Sequence, residues 1–88
     1  MVTRKVIIAN RAGIHARPAA MIVKVANKFS SEITLSKDDD EVNAKSIMGI
    51  ITLAATYRTE LVLKATGKDE EAAAEALCKV FENKFEEE

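Results

Sequence analysis

Residues 10–21 of this 88-residue chain read NRAGIHARPAAM, and three of them could do chemistry together. His15 is the only histidine, Arg17 follows two residues later, and Pro18, the only proline, comes next. An imidazole can act as a nucleophile near neutral pH because an unperturbed pKa of about 6.5 leaves much of it uncharged. A guanidinium close by supplies planar donors that suit a carboxylate or a phosphate. If a helix begins just after His15, that residue stands at or near the N-cap. Ala16 and Arg17 then present backbone N–H groups ahead of the first intrahelical acceptor, and the helix dipole adds positive charge at the same end. Pro18 suits a first turn, where its missing N–H has no helical partner to lose and its ring holds the backbone. Together these features describe a seat for an anion. Were the anion a phosphoryl group bonded to the imidazole, the same donors would stabilise it, provided that they held it weakly enough to pass it on. On the residues alone a plainer reading stays open, because a lone histidine is more often a surface or capping residue than a nucleophile.

Other chemistries find less support. Metal binding would need more ligands than one histidine and one cysteine, Cys78. Nothing marks a nucleophile elbow for a Ser-His-Asp arrangement. Residues 1–31 hold six basic side chains (Arg4, Lys5, Arg11, Arg17, Lys24 and Lys28) and no acid, whereas all fourteen carboxylates lie between Glu32 and Glu88. The field around His15 is therefore expected to attract anions or acidic surfaces. A small anion- or RNA-binding α/β domain is the competing class. The basic third lacks the aromatic platforms that stack on bases, so no nucleic-acid partner is expected. No stretch approaches the roughly 20 apolar residues of a membrane helix. The N-terminal apolar run is too short for a signal-peptide core. With the single cysteine, which fits a reducing compartment, this predicts a cytoplasmic protein without membrane insertion.

The elements that must position His15 follow from periodicity. TRKVIIA alternates as a strand with Val6 and Ile8 on one face. From Ala16 the apolar positions Ala19, Ile22, Val23, Ala26 and Phe29 recur at helical spacing, giving an amphipathic helix to about Asn27. EITLSK and VNA read as a hairpin around an acidic turn without glycine, with Ile33 and Leu35 inward. Ser46 can cap a second helix over IMGIITLA, which is more apolar than a one-sided helix requires, so Ile47 and Met48 are expected at the surface. ELVLKAT is another strand, broken by Gly67. Asp69 can cap a final helix whose stripe is Ala73, Leu77, Val80, Phe81 and Phe85, and the terminal EEE is expected to fray against the dipole. The length fits one domain over residues 1–88. The order β-α-β-β-α-β-α predicts an α+β fold, a four-stranded antiparallel sheet with three helices on one face.

GIHARPAA at residues 13–20, followed by KSIMGI at residues 45–50, resembles the HPr family. These are the histidine-containing phosphocarriers of the phosphoenolpyruvate-dependent sugar phosphotransferase system. The resemblance covers essentially the whole chain and implies an open-faced β-sandwich with strand order 1-4-2-3. It implies that His15 accepts a phosphoryl group on ring nitrogen Nδ1 from Enzyme I and passes it to the A domain of a sugar permease. Arg17 falls beside the phosphoryl group, which the backbone of Ala16 and Arg17 would also bind, and Gly13 and Pro18 fall on site-shaping positions. Ser46 falls on a regulatory serine that an HPr kinase/phosphorylase modifies, with a carbon-catabolite transcription regulator as a further partner. The expected docking surface comprises Ile47, Met48 and Ile51 with Ala20 and Lys24. A monomeric carrier without metal or cofactor is implied, with a mainly regulatory HPr-like protein as the alternative. Four positions depart from the family pattern. Ala12 stands where a polar residue often helps to bind the phosphoryl group, a task that Asn10 or Arg11 could take over. Ala54 and Arg58 replace glycines, with Tyr57 between them. A side chain where glycine allowed positive φ carries strain unless the turn has changed.

Overall fold

The computed structural model describes residues 1–86. Its elements are β1 (Val2–Ile7), α1 (Ala16–Ala26), β2 (Glu32–Lys37), β3 (Asp40–Asn43), α2 (Ile47–Thr52), β4 (Glu60–Thr66) and α3 (Glu70–Glu82), closed by a 3-10 turn, Lys84–Glu86. The strands form one antiparallel sheet in the order β1-β4-β2-β3. Alternation places Val2, Val6, Ile33, Leu35, Leu61 and Leu63 on the inner face, where all six are buried. Ala19, Ile22 and Ala26 of α1, Ile50 of α2 and Ala73, Leu77 and Phe81 of α3 close the core from the helix side. Phe85 is fully buried edge-on against Phe81, with ring centroids 5.0 Å apart. Ala74 joins the buried stripe of α3, while Val80 is only half-buried. The expected fraying of the acidic tail concerns mainly Glu87 and Glu88, which lie outside the described residues.

Three local expectations are corrected. The second helix ends at Thr52 rather than Ala54, because Ala54 turns into the left-handed region with φ 51. Lys37 Nζ donates to the Leu53 carbonyl at 3.1 Å, placing a cation on the helix's exposed end. The hairpin turn takes only Asp38 and Asp39 rather than DDDE, since β3 runs from Asp40 to Asn43 and leaves Ala44 outside. It needs no glycine because Asp38 takes φ 53, which aspartate tolerates better than most residues. Asp69 is the N-cap residue of α3, but its side chain makes no cap bond. It instead accepts the backbone N–H groups of Ser30 at 2.9 Å and Ser31 at 3.0 Å, and both serine hydroxyls donate to it as well. Glu70 takes over the turn, accepting the Gly67 N–H at 3.1 Å.

The Asp69 network makes stability depend on pH. The Ser31 hydroxyl and then the Ser30 N–H hold this carboxyl below its ordinary value of 3.8. A folded carboxyl that ionises at lower pH than its unfolded counterpart contributes fully above that ordinary value, and the contribution disappears as the pH falls through the folded one. Asp69→Asn is therefore expected to lower the urea midpoint at pH 6 and to differ less from wild type at pH 3. Equal differences at both pH values would refute the assignment.

The turn after α2 keeps its left-handed geometry despite its side chains: Ala54 has φ 51 and Arg58 φ 73. A β-carbon there costs about 1–2 kcal/mol, partly offset by the extra freedom glycine has when unfolded. Ala54→Gly is expected to stabilise the fold by about 0.5–1 kcal/mol, read from a denaturant melt. An unchanged or lower midpoint would show that the turn is not strained.

Candidate functional site

The loop from Asn10 to His15 is held by short bonds to the segment after α2. Ile8 N–H donates to Thr59 O at 2.9 Å and Arg58 N–H to Ile8 O at 2.7 Å, which draws the two chains together beyond the end of β1. Ile14 N–H donates to Ala55 O at 2.9 Å. Within the loop, Gly13 N–H reaches Asn10 O at 3.1 Å, and the buried Asn10 Nδ2 returns to Gly13 O at 2.9 Å. Gly13 has φ 76, and a β-carbon there would stand 2.9 Å from Ala55 O and 3.1 Å from Thr56 Cα. Only glycine fits both the backbone angle and the space.

His15 is the N-cap of α1, with an extended backbone (φ −128, ψ −166) and a side chain that does not cap the helix. Its carbonyl accepts the first helical N–H, from Ala19 at 3.0 Å. The N–H groups of Ala16 and Arg17 therefore precede the helical ladder, as expected for an anion seat. His15, Ala16 and Arg17 are exposed, and Pro18 is buried beneath them. Arg17 opens a groove of about 440 Å³ along α1, lined also by Met21, Lys24, Val25, Lys28 and Glu86. Ala20 and Lys24 are exposed one turn apart on the same helix.

Ser46 lies outside this loop, at the N-cap of α2. Its Oγ accepts the Gly49 N–H at 3.0 Å, so the capping expectation holds. The helix that it starts packs against α1. Met48 is 71% exposed and Ile47 40%, as the apolar excess of this helix predicts, while Ile51 is half-buried. Lys45 Nζ fixes the approach to Ser46 by donating to Phe29 O at 2.8 Å.

The structure redistributes the tasks suggested around Ala12. Asn10 does not offer its amide nitrogen to a ligand, because it is buried and bonded within the loop. Arg11 is exposed, and its charge helps, after the Arg58 hydrogen bond and charge, to hold the Tyr57 hydroxyl below its ordinary pKa. Sequence reasoning missed the floor of the loop. Ala55 supplies its carbonyl, and Thr56 and Thr59 lock the turn, with Thr56 N–H on Thr59 Oγ1 at 3.1 Å. The only signal was the position of this segment, since alanine and threonine advertise no chemistry.

Known proteins align with these features from end to end. The chain is 53% identical to the phosphocarrier protein HPr of Treponema pallidum (strain Nichols) over 88 residues, all of both chains. It is 49% identical over 78 residues to the HPr-like protein Crh of Bacillus subtilis (strain 168), covering 89% of this chain and 92% of that one. The crystal structure of HPr-C-His from Thermoanaerobacter tengcongensis superposes with a TM-score of 0.96 at 49% identity, covering 100% of this chain and 99% of that one. The family model described as the PTS HPr component phosphorylation site matches residues 2–83, and the chain accordingly belongs to the HPr family of phosphotransferase-system phosphocarriers.

Proposed function

We propose that His15 accepts a phosphoryl group from phosphorylated Enzyme I and passes it to a histidine on the A domain of a sugar permease. The observation that carries this reading is the exposed His15 at the N-cap of α1, with its side chain not used for capping. A ring nitrogen of His15, Nδ1 by family resemblance, attacks phosphorus, and the phosphorus–nitrogen bond to the donor histidine breaks as the new one forms. The Arg17 guanidinium and the N–H groups of Ala16 and Arg17 receive the phosphoryl oxygens. Ala12 has no polar atom to add to this set, so the backbone carries more of the binding. Gly13 and Pro18 hold the loop and first turn in place. In the second transfer the same bond breaks toward the acceptor, and His15 is regenerated. The chain is then a carrier, transformed in each half-reaction, rather than an autonomous enzyme.

Ile47, Met48 and Ile51 of α2 with Ala20 and Lys24 of α1 form the docking surface in this reading, apolar at its centre and basic at its rim. It works in the cytoplasm as a monomer. No described helix is long and apolar enough to cross a membrane. Incubation with phosphoenolpyruvate and Enzyme I, then with a panel of permease A domains, tests the carrier route. Acid-labile phosphate that moves onward supports it, and absence of labelling by a matched Enzyme I refutes it. Labelling without onward transfer to any A domain would favour a regulatory HPr-like protein, a reading motivated by the 49% identity to Crh.

Ser46 is the proposed regulatory site, modified by an ATP-dependent HPr kinase/phosphorylase and read by a carbon-catabolite transcription regulator. The phosphate would lie at the N-terminus of α2, and its charge of about −1.5 to −2 would act mainly on acidic partners. Kinase and ATP are expected to give acid-stable phosphate that is absent from Ser46→Ala. That variant is also expected to lose about 1 kcal/mol of stability with the cap. Undiminished labelling of Ser46→Ala would place the modification elsewhere.

A further inference from the structure

The side chains at Tyr57 and Arg58 stand beside the loop that presents His15, yet the proposed transfer chemistry does not use them. Arg58 holds φ 73 with a full side chain, against the preference of any residue but glycine. Its backbone N–H is bonded to Ile8 O at 2.7 Å, so the residue is fixed where the site loop begins. The Arg58 guanidinium carbon lies 5.2 Å from the centre of the Tyr57 ring, a cation–π arrangement at the surface. Tyr57 is 42% exposed, and Gly13 packs against its neighbour Thr56. Arg11, on the site loop, and Lys84, on the closing turn, add positive charge around the same ring. Ion pairs among the described residues are Met1–Glu70, Arg4–Glu71, Lys64–Glu41 and Lys79–Glu75. None of the described carboxylates pairs with Arg11, Arg58 or Lys84.

We infer that Tyr57 and Arg58, backed by Arg11 and Lys84, form a partner-selecting clamp for a carboxylate-rich protein surface, adjoining the phosphoryl site but outside its chemistry. The partner is an acidic protein because Arg58 lies over the ring and Arg11 and Lys84 act on it, none of them paired with a described carboxylate. A strand of nucleic acid would need a succession of rings to stack on. Tyrosine and arginine together are also the residue types that dominate protein–protein hot spots. The guanidinium lies 5.2 Å from the ring centre and offers planar donors that suit a carboxylate. The clamp deepens the carrier reading and rests on it for the identity of the partner.

Arg58→Gln and Arg58→Lys keep a β-carbon at this left-handed position, so neither adds backbone strain to the turn. In Enzyme I-dependent labelling, Arg58→Gln is expected to raise KM about threefold or more, keep kcat within about twofold and flatten the salt dependence. Arg58→Lys is expected to keep the salt dependence and recover part of the KM, since it restores charge without the planar fork. The same KM and salt dependence in wild type and Arg58→Gln would overturn the clamp. Tyr57 is the chain's only tyrosine, and there is no tryptophan, so its fluorescence reports this position alone. If wild type takes no label, the carrier reading fails and the clamp is decided by titrating that fluorescence with hexaglutamate at low salt. Saturable binding that weakens in Arg58→Gln supports it, and no response refutes it. A response to polyuridylate stronger than to hexaglutamate also refutes it, in favour of a nucleic-acid surface.

Discussion

His15→Ala is expected to abolish acid-labile labelling by phosphoenolpyruvate and Enzyme I while leaving the fold intact. The substitution removes the chain's one imidazole, and with it the only nitrogen nucleophile at the start of α1. Because the reaction forms a covalent bond to that ring, no neighbouring group can substitute, and the rate falls at least about 10³-fold, to background. Stability is expected to change by about 0.5 kcal/mol or less, because the side chain is exposed and makes no cap bond to the helix. The pair of measurements separates two roles for the histidine. A capping residue would lose stability and keep labelling, whereas an acceptor loses labelling and keeps stability. Acid-labile phosphate persisting in His15→Ala would rule His15 out as the acceptor.

Gly13→Ala is expected to have the next largest effect, and on both quantities. The new β-carbon must take φ near +76 and would lie 2.9 Å from Ala55 O, closer than such contacts occur. The left-handed backbone costs about 1–2 kcal/mol for an L-residue. Forced separation of packed groups adds about 1–3 kcal/mol. Destabilisation of about 2–5 kcal/mol is therefore expected from the urea midpoint. Both atoms on the receiving side are backbone, so the loop itself has to move. That movement breaks the Ile14 N–H to Ala55 O bond, 2.9 Å long, immediately before the histidine. Labelling is expected to fall at temperatures where the variant is still folded. Wild-type stability in Gly13→Ala would show that the loop does not depend on its seat against residues 55 and 56.

The two positions were legible to different degrees beforehand. His15 stood out because it is unique and because Arg17 and Pro18 flank it at a change of period from two to 3.6. Its N-cap position could be read from four adjacent residues. Gly13 could be placed in the site only by family resemblance, since its packing partners are about forty residues away in the chain. Ser46 was legible as a cap because its acceptor role is local, reaching only Gly49. Asp69 looked like the same kind of cap and is not one. Its carboxylate serves Ser30 and Ser31, 39 and 38 residues earlier, and no short-range pattern encodes that pairing. A similar gap explains Ala54, which continues the apolar run of α2 in sequence but leaves the helix in three dimensions.

By itself, the sequence determined the element order, the inward faces of the strands and most of those of the helices, the N-cap positions of His15 and Ser46, and the motifs that mark the family. All of these depend on spacings within one turn or one strand, where backbone geometry dictates which residues share a face. Tertiary structure alone decided the left-handed turn at Ala54 and Arg58, the seat of Gly13, and the grouping of Arg11, Tyr57, Arg58 and Lys84. Those features arise where segments distant in the chain are brought into contact, and their energies depend on the partner as much as on the residue itself.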